Sequence, residues 1–596
     1  MSQVSRRFEL IMDAGNGAQK AGDILVSTFA KNGNFVFIEP MIPAEISPPK
    51  RTPYSMSGVV IRISEEDITN IGSGTDLMVF EHEILLERRL SDQEYHPNAH
   101  VFLDMGDEAR NKDAYQVAIA RAQSLGLQVH PFTIDDASKK IIGDLGGNGK
   151  NMFYLGMLTR FFSGSKEQLI QAIRTTFKKL PEEKLLLNIK IFEGGFTSAE
   201  GFGIGFSISS KPIDGDKILM DGNTAMSLGL IDAGIKLYCG YPITPASSIM
   251  HTLAKLFPKY GGLVHQAEDE ISAIGSAIGS YYAGVPSATG TSGPGLSLKQ
   301  EFIGLATATE TPLIVIDVQR GGPSTGLPTK TEQSDLPAAI FGSHGDNVKV
   351  VLGVSDVIDC FYAPHIARYL AEKLRVPVFI MSDYMISVSY KVVEKPPVNE
   401  MDQVEDIHGF ILDRFKIKRF ENDIEMVKSN QSIPGETGLM RRVTGLNVDD
   451  GGHVSNTAVS TIRSHHVRNQ KLDMVRDHLL TPEFIGPQEG DLLVVGWGSA
   501  RGAIEEGVLD CQEQGLRVSG LHLKVVYPLP PMMKDIFKKF KKVMTAEMAY
   551  GDENKPAPLA MLLRSQTLVD VISGISEPSG NPLKPSQVIT KVKELI

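Results

Sequence analysis

The residues best suited to chemistry lie between residues 221 and 333, in polar or glycine-rich turns that follow apolar runs. These turns are residues 221–225, 241–245, 268–270, 293–295 and 319–329. An open α/β sheet binds its ligands at such turns, outside the carboxyl ends of its strands. The pattern therefore predicts a ligand site in this stretch.

Glu270 is the candidate buried carboxylate of that site. It is the last of three acidic residues at a predicted helix start. Acidic side chains at a helix N-terminus interact favourably with the helix dipole, and this interaction alone explains most such triplets. Gly275, Gly279 and Ala283 follow at intervals of four and form one face of small residues. We expect the helix to pack on that face against another backbone. A carboxylate at its head would then be buried and would need a partner.

Thr244 lies in the sequence Tyr-Pro-Ile-Thr-Pro, directly after a predicted strand at 237–240. The two prolines, Pro242 and Pro245, stiffen this loop and hold the threonine hydroxyl in one place. From the residues alone, the favoured interpretation is that Thr244 caps a helix that starts near Pro245.

Length and composition limit the class of protein. A chain of 596 residues is too long for one core, so three or four domains are expected. The formal charge of −11 argues against nucleic acid or an anionic membrane as partner and favours small metabolites and proteins. The acidic start of the chain and the lack of a long uncharged apolar run predict a soluble, cytoplasmic protein without a membrane span.

The three cysteines, Cys239, Cys360 and Cys511, are far apart in sequence and form no Cys-x-x-Cys pair. This spacing excludes a disulfide framework. It also excludes an iron–sulfur cluster bound by this chain alone.

The N-terminal region predicts a strand at 8–12, a glycine-rich turn at 15–22, a helix to about Lys31 and a strand at 35–38. Such a turn can bind phosphate at a helix N-terminus, but its spacing is not Gly-x-Gly-x-x-Gly, so a plain tight turn is at least as good an interpretation. Further predicted elements are strands at 59–63 and 77–80, a linker from the glycine-rich 194–205 and polar 209–216 segments, and a helix at 223–232.

Together the motifs resemble the α subunit of 2-oxoacid:ferredoxin oxidoreductases. Glu270 with its two following glycines resembles the glutamate motif of the pyrimidine-binding domain of thiamine diphosphate enzymes. The Tyr-Pro-Ile-Thr-Pro loop, Thr-Ser-Gly-Pro-Gly at 291–295 and Gln-Arg-x-Gly-Pro-Ser-Thr-Gly-Leu-Pro-Thr at 319–329 complete the likeness. The 2-oxoglutarate type with its γ domain fused in front is the most similar.

The resemblance implies an α/β, multidomain chain. Its expected parts are a γ-like domain at 1–195, a doubly wound pyrimidine-binding domain at 196–395, a connecting segment at 396–485 and a transketolase C-terminal-like domain at 486–596. Two segments depart from the family pattern. Glu-Met-Ala at 547–549 replaces Glu-Met-Asn, and Thr-Gly-Leu-Asn-Val at 444–448 replaces Thr-Gly-x-Glu-His.

The resemblance also implies the roles of the site residues. Glu270 would hydrogen-bond N1′ of the aminopyrimidine. Thr244, Arg320 and Thr329 would line the substrate, with Arg320 as the carboxylate clamp. The implied cofactor contacts are Glu270, Tyr241, Pro242 and Gly293. A structural ion pair is the alternative for Arg320, and a turn role is almost as good for Thr329.

The diphosphate half of a thiamine site is missing from the sequence pattern. The nearest candidate for its Gly-Asp-Gly-like turn, Gly551-Asp552-Glu553 with Asn581, has a glutamate where a small residue must let the phosphate approach. The resemblance therefore implies a β subunit that carries the diphosphate, Mg²⁺ and a [4Fe–4S] cluster, in an (αβ)₂ assembly that uses ferredoxin and coenzyme A.

The implied reaction is CoA-dependent oxidative decarboxylation of 2-oxoglutarate to succinyl-CoA and CO₂, with electrons passed to ferredoxin, or its reverse. Pyruvate or branched-chain 2-oxoacids remain open as substrates. Two other classes also stay open: a thiamine diphosphate acyl transferase without electron transfer, and a subunit that only scaffolds or regulates.

Overall fold

The computed structural model describes residues 5–45, 47–210, 215–399, 401–420, 432–438, 442–449 and 451–596. The chain forms two compact units, residues 1–220 with 389–395 and residues 221–388 with 396–596. Helices and strands alternate in both, which confirms the predicted α/β class. The finer division at residues 195, 395 and 485 stays a prediction.

The elements up to residue 221 are β1 (Ser5–Asp13), α1 (Ala18–Lys31), β2 (Phe35–Met41), β3 (Met56–Ser64), β4 (Thr75–Phe80), α2 (Glu83–Leu90), β5 (Tyr95–Asp104), α3 (Lys112–Ser124), β6 (Gln128–Phe132), α4 (Asp136–Asp144), α5 (Lys150–Phe161), α6 (Lys166–Thr176), α7 (Glu182–Glu200) and β7 (Lys217–Asp221). The elements that follow are α8 (Gly222–Asp232), β8 (Leu237–Gly240), α9 (Ser247–Leu256), β9 (Leu263–Gln266), α10 (Glu270–Tyr282), β10 (Ser287–Thr291), α11 (Gly293–Ala308), β11 (Leu313–Gln319), α12 (Leu336–Phe341), β12 (Val350–Gly353), α13 (Val357–Leu374), β13 (Pro377–Asp383), α14 (Tyr384–Val388), β14 (Tyr390–Glu394), α15 (Gly409–Arg414), α16 (Ala458–Asp477), β15 (Glu483–Ile485), β16 (Gly490–Trp497), α17 (Arg501–Glu513), β17 (Val518–Leu523), β18 (Val525–Tyr527), α18 (Met533–Phe537), β19 (Phe540–Glu547), α19 (Pro558–Thr567), β20 (Val571–Ser576) and α20 (Pro585–Leu595).

The first unit is built on a sheet of order β6-β5-β4-β1-β3-β2-β14-β7. The strands from β6 to β1 are parallel, and β3, β2 and β14 continue the sheet with antiparallel pairing. Separate apolar clusters use alternate residues of the central strands, such as Leu10 in one and Ile11 in the other, as a sheet buried on both faces requires. The strands predicted at 8–12, 35–38, 59–63 and 77–80 are confirmed.

The predicted linker is wrong for residues 194–200, which belong to α7. Its glycines serve a close helix crossing. A Cβ on Gly195 would overlap the carbonyl oxygen of Phe153 in α5, and a Cβ on Gly156 would overlap that of Phe192 in α7. Glycine is required at these positions because the two helix backbones are in contact. A glycine-rich composition is also typical of flexible linkers, so composition alone does not distinguish the two structures.

The first glycine turn packs against the chain's own side chains. Gly17 precedes α1 with φ 87°, and a Cβ there would lie 2.6 Å from Nδ2 of Asn151. The Asn151 amide donates to the Gly17 carbonyl at 3.1 Å. Because Asn151 lies against the backbone where a phosphate would approach, this contact favours the tight-turn interpretation.

The second unit contains a sheet of order β18-β12-β13-β11-β10-β8-β9. The strands from β12 to β9 are parallel, and β18 pairs antiparallel with β12. The chain passes from β8 to β9 on one side and then returns to place β10 on the other side of β8. This reversal is the topological switch point, where open α/β sheets bind ligands.

A second sheet of order β15-β17-β16-β19-β20 completes this unit. Trp497, at the end of β16, is fully buried in the same apolar cluster as Val315 of β11 and Phe379 of β13. The C-terminal sheet therefore shares a core with the sheet that carries the site loops. In the described part of the chain, no helix has both the length and the apolar character that crossing a bilayer requires.

Candidate active site

The loops that follow β8, β10 and β11 meet at one edge of the seven-stranded sheet. Strand β10 pairs with β8 on one side and with β11 on the other, so the three carboxyl ends are neighbours. The segments that follow are the 241–245 loop, the start of α11 at Gly293, and Arg320. Strand β9, beside β8, leads to Glu270 at the start of α10. The fold thus gathers turns that lie about 80 residues apart in sequence.

Glu270 is the first residue of α10, and it is only 8% exposed. Its neighbour Asp269 caps the helix by accepting the N–H of Ser272 at 2.7 Å. The Glu270 side chain lies against the first turn of α11, because a Cβ placed on Gly295 would be 2.7 Å from its Cγ and 2.9 Å from its Oε1. Gly295 therefore makes room for the carboxylate.

The packing face predicted for α10 is wrong, although Glu270 is buried as predicted. A Cβ on Gly275 would meet only the Phe302 ring, at 3.2 Å, and one on Gly279 would find no described heavy atom within 4 Å. The buried residues of α10 are Glu270, Ala273, Ile274, Ala277, Ile278 and Tyr281. These residues recur at intervals of three or four positions and form one face of the helix that begins at Glu270. The buried face is therefore the apolar one and not the face of small residues.

Arg320 is a buried cation with donors to spare. It is 8% exposed, and its Nη1 donates to the Thr244 carbonyl at 2.7 Å. Its Nε has no hydrogen-bond partner, and no carboxylate of the described residues is within 4.0 Å of the guanidinium. Burial lowers the pKa of Arg320, with Asp335 opposing. The structure thus gives no support to a structural ion pair at Arg320.

The loop that holds Thr244 is fixed from below by α8. The Asn223 amide, buried in that helix, donates to the Pro245 carbonyl at 2.9 Å and to the Ser248 hydroxyl at 2.7 Å. Helix α9 begins at Ser247 without a side-chain cap, so the capping role favoured for Thr244 from the residues alone is wrong. The Thr244 side chain is exposed, as are Tyr241 and Pro242 of the same loop.

Two carboxyl groups lie beside this site that the sequence reasoning missed. Asp317 is fully buried on β11, and burial, with Asp335 next, raises its pKa far above the usual range. Burial also raises the pKa of Asp335. Asp335 lies against the start of α11, because a Cβ on Gly293 would be 2.6 Å from its Oδ1. The sequence signal for Asp317 was its position inside the apolar run 313–318, where a charged residue is unexpected.

The loop after β11 carries Thr329 and is closed upon itself. The Gly321 N–H donates to the Lys330 carbonyl at 3.1 Å. Gly321 follows Arg320 in the chain and Thr329 precedes Lys330, so this bond joins the two ends of the loop. The Thr329 side chain is half-buried. Gln333 ends this loop and is fully buried. Its bonds fix the loop to the C-terminal sheet.

Three hydrogen bonds make this attachment. The Gln333 N–H donates to the Met548 carbonyl at 2.6 Å, and the Met548 N–H donates to the Gln333 side chain at 3.0 Å. The Gln333 amide also donates to the Trp497 carbonyl at 2.9 Å. Residues from β16 and from the end of β19 thereby set the position of the loop.

The rejected diphosphate turn is engaged in its own contacts. Asp552 accepts the N–H groups of Asn554 and Lys555, each at 2.8 Å, and Asn581 accepts from Lys330 at 3.1 Å. Among the residues that the structure describes, no three His, Cys, Asp or Glu side chains cluster as a metal site. The candidate site contains a buried glutamate, a buried arginine and the loops that hold them.

Comparison with known proteins shows which families this chain resembles. A family described as pyruvate flavodoxin/ferredoxin oxidoreductase, thiamine diphosphate-binding, matches residues 228–460. This range includes Thr244, Glu270 and Arg320 of the candidate site. A family described as pyruvate ferredoxin/flavodoxin oxidoreductase matches residues 13–198.

Individual relatives resemble this chain over half of its length or more. The 2-oxoglutarate oxidoreductase subunit KorA of Mycobacterium tuberculosis is 32% identical over 582 residues, which cover 94% of this chain and 87% of the relative. The 2-oxoglutarate synthase subunit KorA of Methanocaldococcus jannaschii is 35% identical, covering 56% of this chain and 88% of its own length.

A solved structure gives the same result at the level of the fold. The 2-oxoglutarate:ferredoxin oxidoreductase of Magnetococcus marinus superposes with a TM-score of 0.85 and 29% identity, and the match covers 100% of both chains. Since identity above 30% extends over nearly all of this chain and of the Mycobacterium tuberculosis subunit, the protein belongs to the 2-oxoacid:ferredoxin oxidoreductase family, as a KorA-like α subunit with the γ domain in front.

Proposed function

We propose that this chain is the α subunit of a 2-oxoglutarate:ferredoxin oxidoreductase. In the complex it converts 2-oxoglutarate and coenzyme A to succinyl-CoA and CO₂ and passes electrons to ferredoxin, or runs the reverse reductive carboxylation. The relatives named above act on 2-oxoglutarate by name, and the solved structure was obtained with 2-oxoglutarate, coenzyme A and succinyl-CoA bound. The observation in this chain that carries the proposal is the buried guanidinium of Arg320.

Arg320 is arranged to bind a carboxylate. A cation this deeply buried without an ion-pair partner is unfavourable unless a ligand supplies the charge. The Thr244 carbonyl orients the guanidinium through Nη1, and Nε is buried without a hydrogen-bond partner. A planar guanidinium can then hold the carboxylate in two parallel bonds. Thr244 contributes its exposed hydroxyl near the 2-oxo group, and Thr329 lines the pocket beside the clamp.

The residues also fit the pyrimidine half of thiamine diphosphate. Glu270 places a buried carboxylate at the switch point, where it would hydrogen-bond pyrimidine N1′. Tyr241, Pro242 and Gly293 of the neighbouring loops would hold the ring. When bound, the cofactor supplies the nucleophilic carbon that attacks the 2-oxo group and accommodates the electron pair left by CO₂. The residues of this chain would bind and orient the substrate and the aminopyrimidine, and the reacting carbon would belong to the cofactor.

A β subunit completes the site in this proposal. It holds the diphosphate with Mg²⁺ and carries the [4Fe–4S] cluster that receives the electrons, in a cytoplasmic (αβ)₂ complex. The internal contacts of Asp552 and Asn581 support this division, because both residues already serve turns and loops of their own chain. We therefore expect the isolated chain to be inactive.

The choice of oxoacid depends on a second cation for the distal carboxylate of 2-oxoglutarate. Pyruvate would leave that cation unpaired, at a cost of about 3–5 kcal/mol, and affinity would fall by roughly two to four decades. Pyruvate and branched-chain 2-oxoacids are the alternative substrates. A thiamine diphosphate acyl transferase without electron transfer is the alternative reaction.

The test is to purify the complex and to measure viologen reduction that depends on both coenzyme A and 2-oxoglutarate. We expect a brown complex that is active with 2-oxoglutarate, poorly active with pyruvate, and inactive once the chain is separated. Retention of activity by Glu270→Gln and Arg320→Met complexes would exclude a catalytic role for this chain. An iron-free partner would point to the acyl transferase.

A further inference from the structure

Lys299 is a fully buried lysine close to the candidate catalytic glutamate. It lies in α11 and is 0% exposed. Its Nζ donates to the Glu270 carbonyl at 2.9 Å and to the Thr289 hydroxyl of β10 at 3.1 Å. Burying an ammonium group costs free energy unless it is paired, and these two neutral acceptors compensate only in part. A lysine at this position therefore calls for an explanation beyond filling the core.

The same face of α11 contacts Glu270 twice. Gly295 and Lys299 are four residues apart and thus neighbours on the helix surface. Gly295 lies against the Glu270 side chain, and Lys299 binds the Glu270 main chain. One helix therefore makes room for the carboxylate and holds the backbone that carries it. Lys299 also ties α10 to β10 through Thr289, so three elements meet at one ammonium group.

Three titratable groups act on the Lys299 ammonium. Burial lowers the pKa of Lys299 to about 8, and Glu270 opposes this most strongly, followed by Cys239 and Asp269. These are the titratable groups that face the ammonium from α10 and β8. Among these groups, Glu270 acts most strongly on the Lys299 ammonium.

A second buried lysine shows what a purely structural role is like. Lys349 is also 0% exposed, burial also lowers its pKa to about 8, and its Nζ donates to the Gly342 carbonyl. Neither Lys349 nor Gly342 belongs to the candidate site. The two lysines are thus equally buried, and each donates to a main-chain carbonyl. They differ in that the carbonyl bound by Lys299 belongs to Glu270 of the candidate site.

We propose that Lys299 is a positioning residue for Glu270, which fixes the start of α10 so that the carboxylate meets pyrimidine N1′ in one orientation. This inference rests on the proposed function. Lys299 does not touch substrate or cofactor in this scheme. It acts through the Glu270 main chain.

The test compares Lys299→Met and Lys349→Met in the complete complex with its partner subunit. We measure kcat, the KM for the oxoacid substrate, the affinity for thiamine diphosphate, and the circular-dichroism band of the bound aminopyrimidine. A displacement of about 1 Å at a catalytic group costs roughly 10²-fold in rate. For Lys299→Met we therefore expect kcat to fall by about 10²-fold, with weaker cofactor binding, an altered dichroism band and an unchanged KM for the oxoacid. Lys349→Met should keep the dichroism band and kcat.

A Lys299→Met complex that folds and keeps kcat and the dichroism band within twofold would overturn the inference. If that variant does not assemble, Thr289→Val replaces it, because valine removes one acceptor of the ammonium at nearly the same shape. The inference fails if Thr289→Val leaves kcat and the band unchanged. Glu270→Gln separates the two proposals. If Glu270→Gln keeps full activity, the role of Glu270 is wrong; if it is inactive while Lys299→Met is normal, only the role of Lys299 is wrong.

Discussion

The contact between Gly295 and Glu270 gives the sharpest prediction for the proposed site. An alanine at 295 would place its Cβ 2.7 Å from the Glu270 Cγ and 2.9 Å from Oε1, and it would overlap the Thr291 hydroxyl. Ordinary contacts of a Cβ begin at 3.4 Å. Glu270 must therefore withdraw by about 0.5–0.7 Å, since van der Waals repulsion rises steeply below that distance.

This displacement translates into rate and stability. A misplacement of about 1 Å at a catalytic group costs roughly 10²-fold, so we expect Gly295→Ala to lower kcat by about tenfold or more. Overpacking should also destabilise the second unit by about 1–3 kcal/mol. The KM for the oxoacid should change little, because Arg320 lies on a different strand end.

The assay is steady-state viologen reduction by the purified complex, together with denaturant unfolding of the chain. Gly304→Ala is the matched control. It lies on the same helix, and its Cβ would be 3.5 Å from the Asn347 amide, an ordinary contact. It should keep kcat and stabilise the helix by roughly 0.5–1 kcal/mol. If Gly295→Ala retains kcat within twofold of the wild type, the placement of Glu270 as the pyrimidine ligand is refuted.

Three further perturbations test other parts of the structure. Arg320→Met should lower kcat/KM for the oxoacid by at least about a hundredfold, since charged hydrogen bonds contribute roughly 1.5–3 kcal/mol each, while the KM for coenzyme A stays unchanged in the same assay. Gln333→Ala should leave the Met548 N–H and the Trp497 carbonyl buried without partners and cost about 2–5 kcal/mol in denaturant unfolding. Glu547→Gln should flatten the dependence of unfolding free energy on pH. Burial raises the pKa of Glu547 from 4.5 to about 7, so the folded state retains a proton that the unfolded state has lost, and wild-type stability falls as pH rises between these values by up to about 3 kcal/mol.

Controls and contrary outcomes follow from the same contacts. Gln514→Ala is a control for Gln333→Ala, because its amide donates to Asp510 on the surface. If the two variants unfold alike, the attachment of the loop is not important for stability. Equal pH dependence in Glu547→Gln and the wild type would contradict the raised pKa. An Arg320→Met complex with unchanged kcat and KM for the oxoacid would show that the carboxylate binds elsewhere.

The sequence by itself determined many of the local elements and singled out the stretch that holds the candidate site. Strand β8 and helix α8 lie within one residue of their predicted bounds, because apolar periodicity and turn residues act over a few positions. Four of the five predicted turns, at 241–245, 268–270, 293–295 and 319–329, follow strands of the seven-stranded sheet, whereas the turn at 221–225 follows β7 of the sheet in the first unit. Residue types sufficed for those four, since a parallel sheet puts all its strand ends on one side.

The tertiary structure decided which groups touch, and there local rules gave wrong answers. The glycines of α7 indicated a linker but allow two helices to cross. The small residues of α10 indicated a contact with another backbone, and the described residues show none at Gly275 or Gly279. The Lys299–Glu270, Asp317–Asp335 and Gln333–Met548 contacts join residues that are 18 to 215 positions apart. Sequence spacing carries little information about such pairs, because burial and hydrogen bonding are properties of the assembled core rather than of the segments that form it.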